Sequence, residues 1–162
     1  WTALSRRHRR QCLEARLAGP DAWTRLVQHL ARLPQAAIGD ALHHALRQVA
    51  YRSDERTYQR SDVWATPREF LQHGGDCEDF AVAAWLALAE CGVPPADLRL
   101  TVASLPANRM AHAVTALRRG ATVTVFDNRA DKPVQIRPFA RLQPLYSLSA
   151  DRLWLHVGGG IA

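Results

Sequence analysis

Ten consecutive apolar residues, 80–89, lie between Gly74-Gly75-Asp76 and Gly92-Val93-Pro94-Pro95. The run is too short to cross a bilayer, which takes about 20 residues. Read as a helix from about residue 77 to 90, it is apolar on every side, and such a helix has to be covered all round. The rest of the chain must supply that cover.

The covering material changes character along the chain. Before the run, apolar spacing and breakers predict helices over 2–17, 21–33 and 38–50. Gly19-Pro20 stops the first, Asp21 caps the second, and Pro34 ends it. Ile38, Leu42, Ala45, Leu46 and Val49 share one face of the third. Residues 53–62 read as a loop. Thr66-Pro67-Arg68-Glu69 is a capping box with proline at the first helical position, opening a short helix that His73-Gly74-Gly75 ends. After Pro95 the period becomes that of strands, over 98–105, 111–117 and 121–127, with Arg119-Gly120 as the turn between the last two. Weaker strands are expected over 134–136, 145–147 and 153–157. Helices first and strands second predict an α+β domain, with a mostly antiparallel sheet packed on the central helix. The 162 residues suit one domain, 1–162, which buries roughly 70% of its unfolded surface without staples.

Composition narrows the function classes. The net charge is +6, carried almost wholly by arginine, since Lys132 is the sole lysine. Apart from Arg6, Arg7, Arg9 and Arg10 the arginines are scattered, so no nucleic acid partner is expected. No segment spans a membrane. Trp1 rather than Met opens the chain, as expected of a trimmed or processed N-terminus. Three cysteines leave one over in an oxidising compartment. Cys12 and Cys91 either pair, leaving Cys77 free, or are small buried apolar residues.

Cys77 opens the buried helix. Free N–H groups and partial positive charge at a helix N-terminus stabilise a thiolate and are expected to lower its pKa. Gly74 and Gly75 would let a substrate approach the backbone. An ordinary buried cysteine would fit the same position. His112 and Asp127 bear on that choice. With a two-residue turn at Arg119-Gly120, they fall directly opposite each other, about 5 Å apart at Cβ. Val114 and Val125, and Ala116 and Val123, share that face, which is expected to cover the helix. Cys77, His112 and Asp127 then supply a nucleophile, a base and a group that orients the base. Asp76, Glu78 and Asp79 surround the thiol. They either hold a hard cation such as calcium or cap the helix, with Asp76 at the N-cap and Asp79 as its partner. His73, four residues before Cys77, could stand near the site.

Several segments together resemble a known family. These are Trp64 to Leu71, Gly74-Gly75-Asp76-Cys77-Glu78-Asp79-Phe80-Ala81, Ala111-His112-Ala113-Val114 and Asp127-Asn128. Tyr51-Arg52-Ser53-Asp54, Pro144 to Ser147 and Leu153-Trp154-Leu155 extend the likeness, which covers about 40–157. The chain resembles the bacterial transglutaminase-like cysteine proteases of the LapG type. The resemblance implies a papain/transglutaminase-like fold and a periplasmic endopeptidase with a Cys77–His112–Asp127 triad. It further implies calcium held by Asp76, Glu78 and Asp79, and a large cell-surface adhesin as substrate, cut near its N-terminus to release biofilm cells. A cyclic di-GMP-responsive membrane receptor that sequesters the protease is an implied partner. Members often carry asparagines in the helix before the Tyr51 segment, where this chain has His43 and Arg47. Two rival readings are acyl transfer to an amine, as in transglutaminases, and a non-catalytic peptide-binding member.

Overall fold

The apolar run forms the buried helix α6 (Cys77–Glu90), with every residue from Asp79 to Leu88 buried. The computed structural model describes residues 1–106, 108–136 and 143–157; the last five residues of the expected 1–162 domain lie outside it. Five helices precede α6: α1 (Thr2–Ala18), α2 (Ala22–Leu30), α3 (Gln35–Arg47), α4 (Asp54–Tyr58) and α5 (Pro67–His73). Six strands follow: β1 (Leu98–Ser104), β2 (Ala111–Arg119), β3 (Thr122–Phe126), β4 (Val134–Ile136), β5 (Gln143–Leu148) and β6 (Leu153–Leu155). They make one antiparallel sheet in the order β4-β3-β2-β1-β5-β6. The α+β architecture is the one that the order of periodicities predicts.

Cover for α6 comes from two sides. The sheet contributes Leu98, Leu100, Val102, Ala113, Leu117 and Phe126, and the helices contribute Leu42, Leu46, Phe70 and Trp23, all in one core. Thr115 Oγ1 donates to the Ala81 carbonyl at 2.7 Å, which locks β2 to α6. The local caps form as read. Asp21 accepts from the Thr24 N–H, and Glu69 accepts from the Thr66 N–H at 2.8 Å. α1 is tied down at its middle: Arg7 pairs with Glu69 and His8 with Glu90.

Several expectations need correction. Residues 53–62 contain the single-turn helix α4, nucleated by acidic residues at its start. α2 stops at Leu30, and turn-like bonds at 31–33 replace its last turn. The β2–β3 turn is Gly120-Ala121, because Arg119 pairs with Thr122. Gly120 takes φ +59° at the first central position, where type II′ hairpins want glycine. The whole ladder therefore slides by two residues, which preserves faces. The face against α6 carries Ala113, Thr115 and Leu117 with Phe126, not Val114 and Ala116. Of the two readings of Cys12 and Cys91, the unpaired one holds, since all three cysteines are free. Among the described residues no helix is long and apolar enough to cross a membrane.

Candidate active site

The start of α6 is held by a strap. The Arg52 N–H donates to the Gly75 carbonyl and the Gly75 N–H to the Ala50 carbonyl, at 2.9 and 3.3 Å. Gly74 has φ +81°, and a Cβ there would meet the Ala50 carbonyl oxygen at 2.6 Å. A Cβ at Gly75 would lie 2.2 Å from an Asp79 oxygen. Both glycines thus answer to their own neighbours, and Gly75 also lines the cleft described below.

Asp79 is fully buried. Its Oδ1 accepts from the Ala65 N–H at 2.7 Å, and its Oδ2 accepts from the Asp76 N–H at 3.3 Å. It joins the loop before α5 to the helix start. Burial, with Asp76 nearby, pushes its carboxyl up to about 7 against these two bonds. Asp79 therefore stands as the capping partner, apart from the acidic cluster at the thiol.

That cluster is Asp76, Cys77 and Glu78, whose donor atoms all lie within 4.8 Å of one another. The Cys77 thiol donates to Glu78 Oε2 at 3.1 Å. Burial and contact with Glu78 push the Asp76 carboxyl up to about 7. Asp76 Oδ1 is buried with no hydrogen-bond partner among the described residues. Burial pushes the Cys77 thiol up to about 12, helped by Glu78 and Asp76 and opposed by the Ala113 N–H. This reverses the lowered pKa expected from the helix N-terminus. Desolvation and two facing carboxylates outweigh a macrodipole worth about 0.3–1 kcal/mol.

His112 and Asp127 meet across the end of the β2–β3 hairpin. His112 Nε2 and Asp127 Oδ1 are 2.9 Å apart, both side chains largely buried. Past the last ladder pair, Thr115 with Phe126, Asp127 falls diagonal to His112 on the same face, within reach of an imidazole. The Arg129 N–H also donates to Asp127 Oδ1, at 2.9 Å. Burial alone would raise the Asp127 carboxyl, but the bonds from His112 and Arg129 hold it below its usual value.

Cys77 and His112 line one cleft of about 480 Å³, with Gly75, Asp76, Phe80 and Asn128 among the other walls. Leu46, Val49 and Phe70 add apolar lining. Nε2 of His112 is committed to Asp127, so Nδ1 is the nitrogen left for other work. His73 is exposed and does not line this cleft. Trp64 packs against the core and bonds Asp62. His43 and Arg47, 83 and more residues from their partner in sequence, both reach the Ala130 carbonyl; no local pattern signals that contact.

The profile of the bacterial transglutaminase-like cysteine proteinases (BTLCP) matches residues 2–143. The chain is similar to the calcium-bound LapG of Legionella pneumophila at 31% identity and a TM-score of 0.72, covering 87% of this chain and 80% of that one. A second Legionella pneumophila LapG structure gives 32%, 0.70, 83% and 76%. The EGTA-treated form gives 31%, 0.72, 86% and 77%. No curated protein sequence matches. A buried helix opened by a cysteine, an antiparallel sheet behind it and a match along most of the chain lead to one conclusion: the chain belongs to the bacterial transglutaminase-like cysteine proteinases.

Proposed function

We propose that the chain is an endopeptidase whose nucleophile is Cys77, with His112 as general base and Asp127 as the group that orients it. The observation that carries this reading is the 2.9 Å pair of His112 Nε2 with Asp127 Oδ1 on the wall of the cleft that Cys77 also lines. Asp127 fixes the tautomer that leaves His112 Nδ1 free to take the thiol proton. Cys77 then attacks the scissile carbonyl; the C–N bond breaks as His112 gives that proton to the leaving amine, and water activated by His112 hydrolyses the thioester acyl-enzyme, returning the thiol. The Cys77 backbone N–H, in the first turn of α6, is the oxyanion donor.

Calcium belongs to the same reading. The described residues fit a hard cation at Asp76 and Glu78. Two carboxylates converge there, one with an orphaned buried oxygen, and carboxylate oxygens suit calcium. Calcium bound there supplies positive charge beside a thiol that otherwise faces two acidic groups. The LapG of Legionella pneumophila has calcium-bound and EGTA-treated structures, which supports this assignment. Asp79, with both oxygens on backbone N–H groups, supports the site from behind. We place the activity in the periplasm, on the N-terminal region of a large adhesin, in the control of biofilm release. A cyclic di-GMP-responsive membrane receptor would be the sequestering partner.

The test is cleavage of an adhesin N-terminal fragment, with and without a primary amine. Cys77→Ser and His112→Ala are each expected to lower kcat about a thousandfold or more. EGTA is expected to suppress cleavage, and added calcium to restore it. Full cleavage by Cys77→Ser would sink the reading, and an amine-capped product would point to acyl transfer instead.

A further inference from the structure

We infer that His43 and Arg47 are positioning residues for the reaction: from α3 they hold the turn that carries Asp127, by its far end. This role presupposes the Cys77–His112–Asp127 reading. Asp127 follows the last residue of β3, Phe126, so no ladder pair beyond Thr115–Phe126 fixes it. What holds it is a turn. The Ala130 N–H donates to the Asp127 carbonyl at 3.0 Å, and the Arg129 N–H donates to Asp127 Oδ1. The turn's last carbonyl, that of Ala130, is gripped twice from α3. His43 Nε2 lies 2.9 Å from it, and Arg47 Nη1 donates to it at 2.5 Å. Arg47 also pairs with Asp131 at 3.1 Å.

The histidine's surroundings leave it one polar duty. His43 is fully buried, edge-on to Phe80 with centroids 5.4 Å apart and close to Phe126. A carbonyl only accepts, so His43 Nε2 carries the proton. Nδ1 is buried with no partner among the described residues. Burial, with the nearby Arg47 charge, favours the neutral ring against the pull of the Ala130 bond. An apolar side chain of similar size would pack there without leaving any buried side-chain nitrogen unpaired. The ring's donor therefore contributes to the turn. From α3 the linkage runs through Ala130 and the turn to Asp127, and from Asp127 to His112 Nε2.

The experiment needs no identified substrate. Iodoacetamide labelling of the full chain, in calcium buffer, is followed at Cys77 by mass spectrometry across pH. His43→Leu keeps the packing and removes the donor; His43→Gln keeps a donor of similar reach. His43→Leu is expected to slow labelling at neutral pH about tenfold, and His43→Gln to stay within about twofold of the parent. A smaller folded fraction cannot produce this order, because the amide of His43→Gln, set beside Phe80 and Phe126, costs the fold at least as much as His43→Leu does. Should His43→Leu fail to fold, half-exposed Arg47→Met carries the test, with labelling slowed about threefold. Asp127→Asn separates the two levels. If it labels at the parent rate, the triad reading fails and this role falls with it. If Asp127→Asn is slow while His43→Leu or Arg47→Met labels at the parent rate, the positioning role alone is overturned. Equal slowing by His43→Leu and His43→Gln also overturns it.

Discussion

The two ends of α6 handle charge in opposite ways. At the C-terminal end, Glu90 accepts from His8 Nε2 at 2.7 Å and from Trp23 Nε1 at 3.3 Å. A carboxylate is out of place beside the negative end of a helix dipole, yet every local need of Glu90 is met. At the N-terminal end the dipole favours carboxylates. There Asp76 and Glu78 face each other and a thiol, one oxygen of Asp76 has no partner among the described residues, and burial pushes Asp76 and Asp79 up to about 7. Local desolvation and neighbouring charge decide the electrostatics at both ends; the dipole decides neither. The paired end attaches α1, and the crowded end gathers two carboxylates and a thiol within 4.8 Å of one another.

The contrast can be broken most forcefully at Asp79. Asp79→Ala orphans the buried N–H of Ala65 and the part-buried N–H of Asp76, and at about 1–3 kcal/mol each the loss of stability should be about 2–6 kcal/mol. Chemical denaturation checks this; a loss below that at the paired end would remove the asymmetry. Acidity gives the next effect. The folded pKa of Asp79 lies near 7, above the 3.8 of an unperturbed aspartate. Its contribution is therefore fully present below about pH 4 and lost as pH rises through 7. In EGTA, the protein should be more stable at pH 5 than at pH 8, by on the order of 2 kcal/mol. Asp79→Asn should reduce that slope, Asp76, also pushed up to about 7, keeping the remainder, and calcium should restore stability at pH 8. A flat profile in the parent protein would contradict the crowding. Gly75→Ala should cost about 1–3 kcal/mol by overpacking, because its Cβ meets Asp79 and Phe70. Thermal melts beside Gly92→Ala, where a Cβ has open space, separate the clash from left-handed backbone strain, which Gly92, with φ +88°, carries and Gly75 does not. The smallest effect is Glu90→Gln. It keeps an acceptor for Trp23 and loses only charge opposite His8, for about 1 kcal/mol or less. A larger loss there than at Asp79 would reverse the comparison.

Legibility in the sequence followed how local the cause was. The all-apolar run needed only its neighbours to declare a buried helix, and the capping box at Thr66–Glu69 formed as spaced. The hairpin was legible as a hairpin but not in register, because Gly120 serves the first central position of the turn rather than the second. The slip was by two, and side chains alternate with period two. Alternation along β2 and β3 is therefore unchanged, and the turn after Phe126 brings Asp127 to His112, while the helix-facing side was misassigned: Thr115, with a hydroxyl bonded to Ala81, does not read as a core position. The thiol's raised pKa was hidden because spacing shows where a carboxylate sits, not how deeply it is desolvated. The grip of His43 and Arg47 on Ala130 joins positions 87 and 83 residues apart, beyond any periodicity.

The space beside Gly75 has a consequence for how this chain can change. An Asp79 oxygen occupies the volume that any side chain at position 75 would need. The two positions are therefore a single evolutionary choice. A larger residue at 75 becomes admissible only after Asp79 has shortened or turned away and the Phe70 ring, 2.8 Å from that Cβ, has shifted, and the first of these steps frees the two N–H groups that Asp79 holds. Each route between the present pair and another passes through a less stable intermediate, so the pair is expected to drift together or not at all.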